Sequence, residues 1–306
     1  MAGSLALHRG TLFVGTHAKT ASVRAFDLGG RELRPAFEFR DARAGRSEVS
    51  GLCVDEHHAL LVADRPADRV RRFSLFGREI GGSGNAAPRA APALLPGIIH
   101  RPVDIEVHGS REDGWMAVAS AGESRHGVQV FDPDFSYRSS CASQGEPARP
   151  FRDPVRLASR GARLYVAEAG PRCDQVFRDF TFLFAFRLTL SDGVALEPCA
   201  IAPIAPERVV VAFRAPESGL FLVDGTGRPL RRLAEHGDAE GQVLEPSDVV
   251  FDPADEETGP RVWVIDREGL RVQVFTLEGR CQGAFLLEPR TLHARKRRDA
   301  RNKGGR

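Results

Sequence analysis

Val62-Ala63-Asp64-Arg65-Pro66-Ala67-Asp68-Arg69-Val70-Arg71-Arg72-Phe73-Ser74-Leu75-Phe76-Gly77-Arg78 reads as strand, loop, strand and turn. An apolar run gives way to a charged loop, and then to a segment whose residues alternate in character. Nearly the same phrase returns at Val264-Ile265-Asp266-Arg267-Glu268-Gly269-Leu270-Arg271-Val272-Gln273-Val274-Phe275-Thr276-Leu277-Glu278-Gly279-Arg280, 202 residues later. In both copies an acid is followed five residues on by Arg, and a Phe is followed four residues on by Gly-Arg. Two copies so far apart belong to an array, not to one local element.

The array has six members. Apolar runs end at Val14-Gly15-Thr16, Val62-Ala63-Asp64, Val118-Ala119-Ser120, Val166-Ala167-Glu168, Val211-Ala212-Phe213 and Val264-Ile265-Asp266, with last positions 48, 56, 48, 45 and 53 residues apart. A second marker keeps step: Phe26, Phe73, Phe131, Phe186, Val223 and Phe275. Gly-Arg follows four of them, at Gly30, Gly77, Gly227 and Gly279, as a hairpin position needing positive φ requires. Each unit divides into four short strands. In unit four the spacing predicts a long loop at Ala169–Phe180, a third strand over Thr181–Leu188 and a last strand near Val194–Glu197. The stretch Gly81–His100, rich in Gly, Ala and Pro, is expected to be the longest irregular loop.

The fold class expected is therefore all-β: a six-bladed β-propeller of four-stranded antiparallel blades over residues 1–288. Each blade has an apolar face that cannot be buried alone; radial stacking buries it, and closing the ring removes the end blades' open faces. As parsed, the first and sixth blades are each complete, so closure would rest on side-chain packing. Residues 289–306 hold eight Lys/Arg against one Asp, too charged and too poor in apolar residues to fold alone. They are expected to form a disordered basic tail, with the body carrying net charge −5.

Hydrophobic content is 42%, enough for a packed core, and no apolar run approaches the roughly 20 residues that span a bilayer. The N-terminus has neither a basic region nor a long apolar one, so no secretory signal is expected. Five scattered cysteines without Cys-x-x-Cys argue against disulfides or a zinc knuckle and fit a reducing cytoplasm. Near-absence of Lys beside abundant Arg, Ala, Gly and Pro suggests a GC-rich bacterial genome.

The phrase "apolar-Val-Ala-Asp, polar loop, Arg-Val-x-x-Phe, turn, Gly", preceded by spaced glycines and a Pro, resembles the NHL repeat. Residues 237–280 carry it best, with Gly237, Gly241, Gln242, Pro246, Asp266, Arg271, Val272, Val274, Phe275 and Gly279; residues 47–80 come second. Units one, three and four match in outline, and unit five has Phe213 in place of the acid. The resemblance implies a hairpin-stapling contact between this Asp and Arg, hence the pairs Asp64–Arg69 and Asp266–Arg271. It also implies that the loop between second and third strands lies at one face, near the central mouth.

That placement sets the candidate chemistry. Asp64, Glu168 and Asp266 around a mouth would suit Ca²⁺, but in-blade pairing accounts for two of them. Similar propeller lactonases and amidating lyases gather His, Asn, Asp or Glu ligands at this mouth. Only Asn85 and Asn302 occur here, in a Gly/Ala loop and in the tail, which argues against an Asn-containing site. His17, His100 and His126 would be needed for zinc, and no close His pairing supports that. Neither a nucleophile motif nor a phosphate loop is present. No metal and no cofactor is expected.

Recognition is the stronger reading. Arg65, Arg172, Arg214 and Arg267, with His17, His126, Phe177 and Phe180, fall in or beside the loops of one face and would supply basic and aromatic anchors. The expected function is a non-enzymatic scaffold, a monomeric propeller holding a protein or peptide partner there. A metal-dependent lactonase- or lyase-type hydrolase is the first alternative. Binding of RNA, an acidic partner or anionic lipid through Arg295, Lys296, Arg297 and Arg298 of the tail is the second.

Overall fold

A computed structural model describes residues 2–17, 20–83, 95–109, 113–122, 127–141, 151–169, 174–189, 193–214, 218–253, 259–268 and 270–287. Blade one is β1 (Ala2–His8), β2 (Thr11–His17), β3 (Ala21–Asp27) and β4 (Glu32–Phe39). Blade two is β5 (Val49–Val54), β6 (Ala59–Asp64), β7 (Arg69–Ser74) and β8 (Glu79–Ser83). Blade three is β9 (Pro102–His108), β10 (Trp115–Ser120), β11 (Gly127–Phe131) and β12 (Tyr137–Ser140). Blade four is β13 (Pro154–Arg160), β14 (Arg163–Glu168), β15 (Asp174–Arg178) and β16 (Thr181–Phe186). Blade five is β17 (Pro198–Ala205), β18 (Arg208–Phe213), β19 (Gly219–Asp224) and β20 (Pro229–His236), with β21 (Gln242–Val243) added in parallel beside the end of β20. Blade six is β22 (Pro246–Asp252), β23 (Arg261–Asp266), β24 (Arg271–Thr276) and β25 (Cys281–Leu286).

Within every blade the four main strands pair antiparallel in chain order. First strands touch around a circle, β1 to β5, β5 to β9, β9 to β13, β13 to β17, β17 to β22 and β22 back to β1, and so line the axis of a six-bladed propeller. The core is partitioned accordingly. Leu60 and Val62 of β6 pack toward blade one, while Leu61 and Ala63 pack toward blade three. Burial on both faces explains why second strands read as unbroken apolar runs. The seam between the last and first blades is filled by Trp263, Ile265 and Val272 against Leu5, Leu12, Val14 and Phe26. Among the described residues no strand is exchanged across that seam. Packing closes the ring, reinforced by Ser4 Oγ and Leu5 N donating to Asp248 Oδ2 at 3.0 and 2.7 Å.

The hairpin glycines have φ of 82° at Gly30, 86° at Gly77 and 85° at both Gly227 and Gly279. All four also lie against the fourth strand of the preceding blade: an added Cβ would come within 2.6 Å of Phe285 at Gly30, 2.4 Å of Phe37 at Gly77, 2.6 Å of Phe186 at Gly227 and 3.1 Å of Arg232 O at Gly279.

Blade four departs from its expected parse. Its third strand is β15, and Thr181–Phe186 is the fourth strand. Leu164 pairs with Phe177 as Leu60 pairs with Phe73, so Phe177, not Phe186, is the repeat marker. The misreading follows from the turn. Arg178 and Thr181 pair directly across Asp179 and Phe180, both at positive φ, so this hairpin lacks the longer turn and its Gly. Residues 193–197 connect onward to blade five through a lone bridge, Thr189 to Ala195. Residues 84–94 of the expected long loop, and the tail 288–306 with Arg295, Lys296, Arg297 and Arg298, lie outside the described residues.

Candidate functional site

Every first strand carries a bulge at the same place. The unpaired residues are Gly3, Ser50, Val103, Val155, Cys199 and Ser247. A bulge takes one residue out of the ladder and turns its groups away from the sheet. Four of the resulting carbonyls are met by one side chain. Arg156 Nη1 donates to Ser50 O at 3.0 Å and Val155 O at 3.1 Å, and Nη2 donates to Gly3 O and, at 3.1 Å, to Ser247 O. Its Nε lies 3.3 Å from Asp248 Oδ1. Arg156 thus starts in blade four and ties blades one, two and six across the axis, plugging the channel.

The plug sits among acids at equivalent positions of their strands. Asp104 Oδ2 accepts from Leu157 N at 2.7 Å. Burial, aided by the Asp248 charge and opposed by Arg156, pushes the Asp104 carboxyl up to about 7. Gly51 occupies the same position in blade two, where a Cβ would fall 2.3 Å from Asp104 Oδ1; the close approach of blades two and three needs glycine there.

Two cavities remain, one on either side of the plug. The lower, of about 250 Å³, is lined by Leu7, Val54, Val250 and Glu106 among others. Glu106 Oε1 accepts from Ser159 N at 2.9 Å and Ser159 Oγ at 2.6 Å, and burial pushes this carboxyl up to about 8.

The upper cavity, of about 320 Å³, is lined by Arg65, Arg214 and Arg267, with Glu48, Asp153 and Glu197 and with the bulged residues and Arg156 below. The three arginines hold one repeat position, the residue after the second strand. The backbone there is pinned to the residue preceding the first strand: Arg214 N donates to Glu197 O at 3.0 Å, Arg267 N to Glu245 O at 2.9 Å and Ala169 N to Asp153 O at 2.9 Å. Blades two and six then make the same turn, with Asp68 N donating to Arg65 O and Leu270 N to Arg267 O, Asp68 and Leu270 both being left-handed. The rim thus combines acids from before the first strand with arginines from after the second.

Of the other residues expected on this face, Phe177 is fully buried between blades three and four. Phe180 lies in the third-to-fourth-strand turn, at the opposite end of the blade, and packs edge-on against Trp115 at 5.3 Å. Neither is an upper-face anchor, which is the consequence of the blade-four parse. His17 ends β2. His126 and Arg172 lie outside the described residues.

The expected staple pairs are formed differently in the two blades. Arg271 donates to Asp266 Oδ2 through Nε at 3.1 Å and Nη2 at 3.0 Å, with both side chains almost fully buried. Asp64 instead meets Arg71, at 3.3 Å, and Arg69 turns outward to Asp41 and Glu79. The reason is the residue two before the marker Phe. In blade six it is Gln273, which accepts from Gly241 N and donates to Gln242 O; in blade two the longer, charged Arg71 reaches the acid itself. Gln129 and Gln175 hold the same place in blades three and four, bonded to Gly97 N and Ile98 O, and to Glu168 Oε1. The three acids accept backbone N–H groups of the connection into the first strand, from Glu48, Arg152, and Leu244 with Glu245. They face their own blades. Among the described residues no group of three His, Cys, Asp or Glu is arranged to hold a metal ion.

Sequence reading missed Arg156 and the Gln/Arg position. Both leave signals: an Arg or Gln two residues before the marker Phe in five blades, and two acids and an Arg in one column of otherwise small first-strand residues, Ser4, Gly51, Asp104, Arg156, Ala200 and Asp248.

No family model and no curated protein matches the sequence. Among solved structures, the chain is similar to one in the crystal structure of a nidogen/laminin complex, with 15% identity, a TM-score of 0.60 and coverage of 90% of this chain and 92% of that one. It is also similar to the WD40 β-propeller domain of Doa1, with 13% identity, a TM-score of 0.52 and coverage of 93% and 82%. Likenesses this distant establish the propeller fold. No helix among the described residues is long and apolar enough to cross a membrane.

Proposed function

We propose that the protein is a binding module, an NHL-type propeller that holds a protein or peptide partner on its upper face. The observation that carries this is the convergence of Arg65, Arg214 and Arg267, from three blades at one repeat position, on a single mouth whose floor is closed by Arg156. A plugged channel presents a shallow dish and not a passage. The pinned backbone fixes where each guanidinium starts, and arginine is among the residues that most often dominate interface energetics. The NHL assignment draws support from the buried Asp266–Arg271 contact and the left-handed hairpin glycines.

The test is affinity capture with the full-length protein, comparing the unaltered form with the R65Q/R214Q/R267Q variant at matched thermal stability. The expected result is a captured protein whose recovery falls at least tenfold with the triple variant. Recovery of the same proteins in the same amounts by both would overturn the upper-face reading.

A further inference from the structure

The upper mouth contains donors that the fold does not use. Ser50 and Cys199, at the bulge of blades two and five, donate to the carbonyl of the next blade's first residue, Ser50 Oγ to Pro102 O at 2.8 Å and Cys199 Sγ to Pro246 O at 3.2 Å. Ser247 holds the same position in blade six, is 2% exposed, and its Oγ has no partner. Arg65 Nε and Arg267 Nε are likewise buried and unpartnered, although each guanidinium is anchored through Nη2, to Ala121 O at 3.4 Å and to Glu245 respectively. All three residues line the same cavity. Buried polar atoms normally find partners, and one left without carries a desolvation cost. The two guanidinium Nε–H groups can only donate, and the serine hydroxyl can donate.

We infer that the upper mouth is a carboxylate receptor: the partner inserts an acidic side chain or its own C-terminus, whose oxygens accept from Ser247 Oγ and from the Nε groups of Arg65 and Arg267. This rests on the binding reading above and names the chemical group that it recognises. An ionised acceptor is the match for several converging donors of which two are cationic, because charge-assisted hydrogen bonds are about twice as strong as neutral ones. Glu48, Asp153 and Glu197 at the rim would meet backbone N–H groups or basic side chains of the residues adjoining the carboxylate, so an extended peptide fits better than a free anion.

The probe is a random heptapeptide library displayed with free C-termini and selected on the immobilised full-length protein. Selected peptides are then synthesised unaltered, as C-terminal amides, and with each Asp or Glu replaced by Asn or Gln, and their Kd values measured by fluorescence anisotropy. Neutralising one carboxylate is expected to weaken binding at least tenfold; loss on amidation identifies a C-terminus, and loss on side-chain replacement an acidic residue. The R65Q/R267Q variant is expected to lose as much for the intact peptide and less than threefold for the neutralised one. Ser247→Ala removes a hydroxyl that nothing in the fold bonds, so it is expected to weaken binding severalfold without lowering Tm, a combination that a structural role would not give. Peptides that need Arg214 and Arg267 yet tolerate every neutralisation would overturn the carboxylate and leave the binding reading standing. A selection yielding no peptide sensitive to R65Q/R214Q/R267Q would overturn both.

Discussion

Arg156 is the side chain whose loss the structure predicts most sharply. Arg156→Met keeps much of the aliphatic stem and removes the guanidinium. Carbonyls of Gly3, Ser50 and Ser247 would then lose their shared donor, and Asp248 its cation at 3.3 Å. Removing one partner of a buried pair leaves the other charge uncompensated, at a cost of about 3–5 kcal/mol. For a protein of this size each kcal/mol lowers Tm by roughly 2–4 °C, so the expected fall is on the order of 10 °C. The sign of its pH dependence follows from the carboxyls. Asp104 is already pushed up by burial and held back by Arg156, so without that cation the folded state would hold the Asp104 proton more tightly still, and more tightly than the unfolded state does. Stability of the variant then rises as pH falls, so its deficit is largest at about pH 8 and shrinks toward about pH 5. Adding Asp104→Asn and Asp248→Asn to Arg156→Met removes the stranded charges and should recover most of the loss at about pH 8. Differential scanning calorimetry across that range measures all three proteins. An Arg156→Met variant within about 1 kcal/mol of the parent at the alkaline end would refute the reading of this residue as the pin of the ring.

Glu106→Gln mimics the protonated acid and keeps an acceptor for Ser159. The parent should lose stability as pH rises from about 5 to about 8, because its folded state keeps a proton that the unfolded state releases. The variant should lack that contribution, keeping the shallower slope that Asp104 adds, and be more stable by on the order of 4 kcal/mol at the upper end, read from urea unfolding at each pH. Arg71→Ala and Arg271→Ala, which strand the buried Asp64 and Asp266, should each cost about 3–5 kcal/mol, whereas Arg69→Ala should cost less than about 1 kcal/mol. Equal costs for Arg69→Ala and Arg71→Ala would restore the sequence-expected partner. Gly77→Ala, at φ 86° and 2.4 Å from the Phe37 ring, should cost more than the ~1 kcal/mol of an ordinary positive-φ alanine, and Gly161→Ala, with open space around it, should cost less than Gly77→Ala in the same melt.

The fold was legible because a propeller repeats its demands. Second strands buried on both faces must be apolar throughout, and hairpins with a left-handed residue select Gly, so both leave marks at fixed spacing. Where the demand was met another way the marks failed. Blade four turns in two residues, Asp179 and Phe180, and the missing Gly shifted its third strand by one element, carrying Phe177 and Phe180 wrongly to the surface. The staple was legible as an acid and an Arg, but not its partner in blade two, because side-chain reach decides between Arg69 and Arg71 and spacing does not. Arg156 was invisible for a different reason. Its partners are carbonyls of three other blades, 91 to 153 residues distant, and carbonyls have no identity in a sequence.

The same contrast explains why the mouth can specialise while the ring stays constant. At the position after the second strand the backbone N–H is bonded to the carbonyl before the first strand in blades three to six, which carry Ala121, Ala169, Arg214 and Arg267 there. The conformation is fixed by backbone groups that every residue type except Pro supplies, so it does not depend on the side chain, even where that side chain adds a contact, as Arg214 Nε does in donating to Pro246 O at 3.2 Å. Beneath it, the bulged residue contributes its carbonyl to the plug whatever its side chain, as Gly3, Ser50 and Ser247 show. The side chains of these two layers are therefore not dictated by the ladder, and both layers line one cavity. Arginine in three of six rim positions, and a serine hydroxyl with nothing to bond, are residues that the architecture did not require. Their occurrence together at the mouth favours this face over the lower cavity, whose carboxyls Asp104 and Glu106 are already bonded within the ring, as the site of the proposed partner.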